Sequence, residues 1–257
     1  MRKGRYSMPL SPVVSVIIPA FNCAHFLRRA VDSALLQERE TAVEVLVIND
    51  CSTDDTEQVI LHYRDNPAVR YVKNERNLGA SGSRNLGVSL ARGKYVAFLD
   101  ADDWWESGKL GKQLARMEET GAVLCSTARE LVDEDGNSLG KVIHVPERIT
   151  YRMMLHQNRI NCSAALVLRE VMARFPMEHE DSHEDYIAWM RILKEYGFAC
   201  GIDEPLLKYT LSKKGKSGSK WKSARMTFSA YRYMGFDLAH SVWYFLCYAV
   251  NGLWKYR

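Results

Sequence analysis

The acidic cluster FLDADDWW, at residues 98–105 of this 257-residue sequence, is where residue type and spacing point most directly to chemistry. In an extended chain Asp100 and Asp102 point to the same side, so both carboxylates can face one cation. Magnesium or manganese held by only one or two carboxylates keeps coordination positions for phosphate oxygens. The cluster therefore predicts a divalent-metal site that binds a diphosphate. The alternative is that these aspartates cap a helix that begins near Trp104.

Three short apolar runs without polar alternation predict parallel strands that are buried on both faces: VVSVII at 13–18, VEVLVI at 43–48 and KYVAFL at 94–99. Helix-like segments cover 24–37, 54–64 and 79–91, and a weaker strand, VRYV at 69–72, completes a series of alternating strands and helices. This alternation predicts an α/β fold with a doubly wound, Rossmann-like, mostly parallel sheet flanked by helices.

Polar residues follow three of these predicted strands: Pro19, Phe21 and Asn22 after the first, Asp50 and Ser52 after the second, and Asp100, Asp102 and Asp103 after the strand at 94–99. In a parallel sheet the carboxyl ends of the strands share one edge, and ligands bind beyond that edge. The three groups are therefore expected to converge in a single pocket.

The second half of the chain is less regular. The Asp-Gly pair in VDEDGNSLG at 132–140 predicts a hairpin, and CSAALVL at 162–168 predicts a strand. EDYIAWMRILKEYG at 184–197 predicts a helix that ends at Gly197. SKKGKSGSK at 212–220 has no apolar residue, which predicts a flexible basic loop. We expect a catalytic domain over 1–211, this loop, and a C-terminal helical region over 221–257.

Composition limits the classes of function. A hydrophobic fraction of 47% is enough for one full α/β core, and the formal net charge of +4 is too small to indicate a nucleic-acid partner. The basic first residues are followed by Ser7 and Pro9 rather than by an apolar run, so we expect no secretory signal and a cytoplasmic location. The cysteines form no metal-binding spacing and are expected to be reduced core thiols: Cys23, Cys51, Cys125, Cys162, Cys200 and Cys247.

Four segments together resemble the family-2 glycosyltransferases of the GT-A fold: VSVIIPAFN at 14–22, EVLVINDCSTDDT at 44–56, NLGASGSRNLGVSLARGKYVAFLDADDWW at 77–105 and HEDYIAWMRI at 183–192. Each segment alone is a weak signal, but four in one order and at family-like spacing form a strong one. The resemblance runs from about Val13 to about Tyr209.

The resemblance implies a role for each matching residue on the donor side. Phe21 would stack on the nucleobase and Asp50 would accept from the imide N–H of the base, in a loop that includes Pro19 and Asn22. Arg84 would brace the nucleotide or the aspartates. Asp100 and Asp102 match the family's DXD element, with Asp102 as the direct metal ligand and Asp103 as a supporting or sugar-contacting neighbour. Taken singly, a core phenylalanine, a capping aspartate and a surface arginine are the alternatives.

The pair Glu184 and Asp185 matches the family's ED motif, which implies that Asp185 is the general base of an inverting transfer. The alternative is that both acids only interact favourably with the helix dipole. Many relatives also carry a late histidine near the diphosphate, and the corresponding segment 208–220 has none. Lys213, Lys214, Lys216 or a serine would then contact the diphosphate, unless this is an ordinary solvated loop.

Residues 221–257 combine aromatic and basic side chains with the apolar run VWYFLCYAV at 242–250. Nine residues are too few to cross a bilayer, which needs about 20. The segment predicts either an interfacial helix on the inner face of the membrane or a helix packed against the catalytic domain or a partner.

The sequence thus predicts an inverting glycosyltransferase of bacterial surface-polysaccharide type that uses Mg or Mn and a nucleotide-sugar donor, most simply UDP-linked. Its acceptor would be a glycan or a lipid-linked glycan. Two other functions fit parts of the sequence. A sugar-nucleotide pyrophosphorylase is disfavoured because PAFNCAHF follows the first strand instead of a Gly-x-Gly-x-Arg loop. A membrane-attached nucleotide-sugar-binding protein without catalysis would keep Phe21, Asp50 and Asp102 but would need no base.

Overall fold

The computed structural model describes residues 11–39, 41–179, 181–212 and 220–255. Ten strands form one sheet in the described residues. Their bounds are β1 Val14–Ala20, β2 Val43–Asn49, β3 Val69–Lys73, β4 Tyr95–Phe98, β5 Trp104–Trp105, β6 Leu124–Val132, β7 Ser138–Ile143, β8 Arg148–Thr150, β9 Leu166–Leu168 and β10 Phe198–Thr210. The main path through the sheet is β3-β2-β1-β4-β9-β6-β10-β5, with β7 beside β6 and β8 beside β10.

The helices are α1 Ala24–Leu35, α2 Thr56–Leu61, α3 Gly79–Leu90, α4 Lys109–Thr120, α5 Tyr151–His156, α6 Arg169–Arg174, α7 Glu184–Tyr196, α8 Lys220–Tyr233 and α9 Leu238–Lys255. Short 3₁₀ helices occupy Leu36–Arg39 and Cys162–Ala164. Strands β3, β2, β1 and β4 are parallel to one another, whereas β9 runs antiparallel to both β4 and β6. The predicted α/β architecture is confirmed, and its second half adds antiparallel pairs.

Both faces of the sheet are covered, which explains the unbroken apolar runs. Ile17 and Phe98 point to one face, where they share a cluster with α3, α5, α6 and α7 residues. Val16 and Leu99 point to the other face, toward α1 and α4. Alternate residues of a strand face opposite sides, so a strand buried on both sides must be apolar at every position.

Most predicted elements of the first half are present within two or three residues of their expected bounds. The predicted helix at 54–64 is shorter, as Thr56–Leu61. In the second half the hairpin and the helix ending at Gly197 are confirmed, the latter with Gly197 at a φ of +87°. The strand predicted over 162–168 is wrong in its first part. Only Leu166–Leu168 is strand, because Cys162–Ala164 forms a turn beneath the aspartates.

The C-terminal region is helical, as predicted. The α8 and α9 helices pack against each other, and α9 also contacts α5. Within the part of the chain that the structure describes, no helix is long and apolar enough to span a bilayer. Of the predicted basic loop at 212–220, residues 213–219 lie outside the described residues.

Candidate active site

The loops that follow β1 and β2 are tied together at the carboxyl edge of the sheet. Asn22, in the left-handed region at a φ of +48°, accepts at its side-chain oxygen from the Thr53 backbone N–H at 2.8 Å. Its own backbone N–H donates to Ser52 Oγ at 3.0 Å. Next to these two hydrogen bonds, the Phe21 side chain is 53% exposed and Pro19 is half-buried. The loop after β1 therefore exposes the aromatic ring of Phe21 to solvent at the edge where ligands are expected to bind.

Asp50 lies just after β2 and is only 4% exposed. Its Oδ1 accepts from Asn74 Nδ2 and from the Leu78 backbone N–H, both at 2.7 Å, and its Oδ2 accepts from the Gly79 N–H at 2.8 Å. The carboxylate therefore caps the amino end of α3, where a negative charge is favourable. A carboxylate has about four acceptor sites, and these contacts occupy three of them.

Arg84 projects from α3 and joins two carboxylates that are far apart in sequence. Its guanidinium donates to Asp100 Oδ1 at 2.5 Å and to Glu184 Oε1 at 3.2 Å. Helix α3 lies so close to β1 that a Cβ on Gly87 would approach Ile17 Cγ2 to 2.4 Å. Burial acts to lower the pKa of Arg84, but the charges of Asp100 and Glu184 outweigh it and raise that pKa well above its ordinary value. Arg84 therefore remains a buried cation between the two acids.

Asp100, Asp102 and Asp103 differ in their surroundings. The Asp100 side chain is 33% exposed, and Asp102 is half-buried beside it. Burial, and then the negative charge of Asp100, raise the pKa of Asp102 from 3.8 to about 6. The two carboxylates repel each other at the edge of the sheet, and a bound cation would reduce this repulsion.

Asp103 is only 1% exposed and points into the protein. Its Oδ1 accepts from the Thr210 backbone N–H at 2.9 Å, while Thr210 Oγ1 donates to the Asp102 carbonyl at 2.5 Å. Burial, followed by the charges of Asp102 and Asp100, raises the pKa of Asp103 well above its ordinary value. Of the metal ligands predicted from the sequence, Asp102 is accessible and Asp103 instead holds the end of β10. This geometry favours the supporting role for Asp103.

Ser163 supports the loop that carries the aspartates, and no sequence pattern indicates this role. The Asp100 backbone N–H donates to Ser163 Oγ at 3.1 Å, and Trp105 Nε1 donates to the Ser163 carbonyl at 2.7 Å. Ser163 lies in the Cys162–Ala164 turn and is fully buried. The residues around Ser163 also fit the pattern of a strand, so the sequence alone does not indicate that Ser163 contacts the aspartate loop.

Glu184 and Asp185 open α7, as predicted. Glu184 is buried against Arg84, whereas Asp185 is half-buried. Burial, and then the charge of Glu184, raise the pKa of Asp185, with His183 and Arg84 acting in the opposite direction. A carboxylate with a raised pKa is a better proton acceptor than an ordinary one. Beside it, His183 Nε2 is buried without a hydrogen-bond partner in the structure.

The loop that precedes Asp185 is held by α8. Tyr233 stacks on His179 with ring centroids 3.8 Å apart, and its hydroxyl donates to Asp181 Oδ2 at 2.7 Å. Ser182 Oγ donates to the Met226 carbonyl at 2.9 Å. These contacts connect the C-terminal helices to the acidic end of α7.

Few protein groups are available to hold a metal. Among the described residues no set of three or more His, Cys, Asp and Glu side chains is arranged around one point. Asp102 with Asp100 is compatible with Mg²⁺ or Mn²⁺, which are commonly bound by one or two carboxylates together with substrate phosphates. Lys213, Lys214 and Lys216, considered as diphosphate contacts, lie outside the described residues.

Comparison with known proteins gives the same family that the motifs resemble. The sequence model of Glycosyl transferase family 2 matches residues 15–174. TuaG of Bacillus subtilis (strain 168), whose name places it among glycosyltransferases of teichuronic acid biosynthesis, is 35% identical over 246 residues, covering 95% of this chain and 97% of TuaG. WfaP of Escherichia coli, named as a UDP-Glc:α-D-GlcNAc-diphosphoundecaprenol β-1,3-glucosyltransferase, is 32% identical over 244 residues, covering 95% of each chain.

A solved structure shares the fold. The mannosyltransferase PcManGT from Pyrobaculum calidifontis, in complex with GDP-Man and Mn²⁺, superposes with a TM-score of 0.68. The match covers 94% of this chain and 74% of that one, at 16% sequence identity. At this identity the likeness concerns the fold alone.

Proposed function

The chain belongs to glycosyl transferase family 2 and is a glycosyltransferase of polysaccharide synthesis, and from this premise we propose that it transfers a sugar from a UDP-linked donor to a hydroxyl of a lipid-linked glycan, with inversion at the anomeric carbon. The observation that carries the proposal is the position of Arg84 between Asp100 and Glu184. Because one guanidinium touches both acids, the donor-side aspartates lie next to the acid pair of α7, which supports a single site formed by both.

On the donor side, the exposed ring of Phe21 offers a face on which a nucleobase can stack. The remaining acceptor site of Asp50 would take the imide N–H of uracil, a donor that cytosine does not present at the same edge. The hydrogen bonds of Asn22 with Ser52 and Thr53 keep this loop in place, next to Pro19 near the end of β1. The UDP-Glc in the name of WfaP supports a uridine donor.

A divalent cation, Mg²⁺ or Mn²⁺, would be held by Asp102 with Asp100 beside it. When bound, such a cation neutralises the negative charge that builds up on the diphosphate leaving group. The Mn²⁺ in the PcManGT complex supports this assignment. Asp103 supports the site indirectly, because its carboxylate secures Thr210 and with it the backbone of Asp102.

Asp185 would act as the general base. Its carboxylate takes the proton of the acceptor hydroxyl while that oxygen forms a bond to the anomeric carbon. The bond from this carbon to the diphosphate breaks at the same time, and its electron pair leaves with the nucleoside diphosphate. One carboxylate is sufficient for such a displacement, and its outcome is inversion. Glu184 would position Asp185 through its ion pair with Arg84.

The acceptor would be a glycan linked to a lipid diphosphate, the class of acceptor in the name of WfaP. Such an acceptor is held in a membrane. The protein would accordingly work at the cytoplasmic face of the inner membrane and contact it peripherally through residues 221–257.

A donor panel tests the first half of the proposal. We expect UDP-sugars, in the presence of Mn²⁺ or Mg²⁺, to raise the thermal unfolding temperature more than GDP- or dTDP-sugars do, since a ligand that binds only the folded state stabilises it. Chelation with EDTA should remove the effect. Stabilisation by GDP-sugars alone would contradict the uridine assignment, and stabilisation that persists in EDTA would contradict the metal site.

The base is tested by Asp185→Asn. We expect this variant to bind the donor with unchanged affinity and to transfer sugar about 10³-fold more slowly, because only the proton acceptor is removed. Asp65→Asn, at a fully exposed carboxylate outside the site, is the matched control and should transfer at the normal rate. Asp185→Asn with near-normal turnover would exclude this residue as the base.

A further inference from the structure

Helix α9 presents a continuous apolar surface to solvent. Its large exposed side chains are Leu238, Val242, Trp243, Leu246 and Val250, between 42% and 63% exposed. At about 100° per residue they span an arc of roughly 140° of the helix, and Ala239 and Ala249, which lie within the same arc, are also exposed. We refer to these residues as the apolar arc. A helix that faced only water would carry polar side chains here.

The opposite side of α9 is firmly packed. Tyr244 lies against Tyr231 with ring centroids 5.9 Å apart, and Tyr248 lies against Tyr186 at 6.3 Å. Asn251 Nδ2 donates to the His156 carbonyl at 3.2 Å. The inner face of α9 therefore contacts the catalytic domain, while the apolar arc points outward.

We propose that the apolar arc is a docking surface for an anionic lipid bilayer, on which α9 lies in the plane of the headgroups. The proposal rests on the proposed function in one respect, because a lipid-linked acceptor has to be reached at a membrane. It goes further by naming the surface that makes the contact. Trp243 at the border of the arc is suited to the headgroup layer, where tryptophan is enriched.

Charge selects the bilayer over a second copy of the chain. Residues 220–255 carry five Lys and Arg against one Asp, whereas residues 11–212 carry 23 Lys and Arg against 30 Asp and Glu. The helical pair that includes the arc is therefore basic, whereas the preceding domain is acidic. Basic residues next to an apolar helix face attract anionic lipids, and two copies of the same basic hairpin would repel each other.

The contacts of α8 link this surface to the site. Helix α8 packs against α9 and also holds the loop before Asp185, through Tyr233 on Asp181 and through the Met226 carbonyl. A bilayer bound to α9 therefore engages the same helical pair that holds the acceptor side of the site.

Vesicle cosedimentation of the full chain tests the proposal without requiring turnover. We expect binding to vesicles of phosphatidylethanolamine and phosphatidylglycerol, and much weaker binding to phosphatidylcholine vesicles, because the anionic headgroups are then missing. Trp243→Glu and Leu246→Glu should each lower the partition constant about tenfold or more. Leu61→Glu, at an exposed leucine of α2 with 46% exposure, is the matched control and should bind as the parent does.

Circular dichroism and stabilisation by UDP with Mn²⁺ establish that the variants are folded. Equal loss of binding in Leu61→Glu, or normal binding in both arc variants, would overturn the proposal. So would a stable dimer in sedimentation velocity that Leu246→Glu dissociates, because the arc would then be covered by a second copy. Failure of the proposed function has a different signature: vesicle binding would persist while no UDP-sugar stabilises the protein.

Discussion

The donor side and the base side of the site are built in different ways. On the donor side, Phe21, Asn22 and Asp50 follow directly on buried strands. Hydrogen bonds from a backbone N–H of one loop to a side-chain oxygen of another, 28 to 31 residues apart, hold these loops. On the base side, Asp185 opens a helix whose position depends on contacts from distant parts of the chain, above all the ion pair of Glu184 with Arg84, 100 residues earlier.

This difference has a mechanical consequence. Donor residues are held by the sheet itself, so a change elsewhere should leave donor binding intact. The base is held by a few side chains from α3 and α8, each of which can be removed singly. Changes on the base side should therefore alter transfer to the acceptor more than donor affinity.

The largest effect is expected from a matched pair of neighbours on the donor side. Asp102→Asn should lower metal-dependent transfer by about 10³-fold, because it removes the accessible carboxylate at the leaving group. Asp103→Asn should change it by less than about tenfold, since an asparagine oxygen still accepts from Thr210. Steady-state rates over a Mn²⁺ titration measure both. Equal losses in the two variants would mean that Asp103 is also a ligand, which its burial argues against.

Arg84→Met is expected to have a smaller effect, which is a loss in the free energy of unfolding that involves both sides of the site. The substitution removes the guanidinium that Glu184 and Asp100 both contact, and breaking a buried ion pair costs about 3 kcal/mol or more in the free energy of unfolding. Urea denaturation measures this loss. Arg84→Met combined with Glu184→Gln should recover part of it, because the buried charge of Glu184 is then removed together with that of Arg84. No recovery in the double variant would show that Arg84 acts mainly through Asp100.

The same contrast explains what could be predicted from sequence. Asp50, Asp100 and Asp102 were placed correctly at the sheet edge because each follows a contiguous apolar run that identifies a strand end. The partners of Arg84 follow from no local pattern, because the sequence does not state which distant acids a buried arginine meets. Only the resemblance suggested that it braces the aspartates.

Two other features were beyond local reasoning for physical reasons. Ser163 lies in a turn whose residues also fit a strand, and its role arises only when β4 and β9 pair. The inward direction of Asp103 depends on β10, a 13-residue strand that contains Pro205 and an irregular register. A proline and charged residues inside a strand hide it from periodicity.

The pH dependence of transfer separates the two sides further. At low metal concentration kcat/KM should rise with pH through about 6, as Asp102 loses its proton. Higher metal concentration should move this limb to lower pH, because the cation competes with the proton at Asp102. A limb due to Asp185, whose pKa is also raised, should not move. If the whole rising part of the pH profile shifts with metal concentration, the pH dependence of kcat/KM is due to the donor side alone.

Protein stability should follow the same group with a definite sign. The folded state holds the Asp102 proton up to about pH 6, whereas the unfolded state loses it near 3.8. Between these values the folded state binds more protons, so the free energy of unfolding should fall as pH rises from about 4 to about 6. Asp102→Asn should flatten this part of the curve in metal-free urea titrations. A curve that is unchanged by the substitution would contradict the raised pKa.

The smallest effect distinguishes the two sides most clearly, through a pair of tyrosines with the same chemistry. Tyr233 donates to Asp181 at 2.7 Å on the base side, and Tyr63 donates to Asp32 at 2.6 Å near α1 and α2. Replacing either by phenylalanine removes the hydroxyl donor to that aspartate, and the loss in stability should be small in both variants because these hydrogen bonds are exposed to solvent. Only Tyr233→Phe loosens the loop before Asp185, so only it should raise the KM for the acceptor, about two- to fivefold, with donor affinity unchanged. Similar acceptor kinetics in the two variants would show that α8 does not position the base, and the distinction between a sheet-held donor site and a helix-held base would lose its main support.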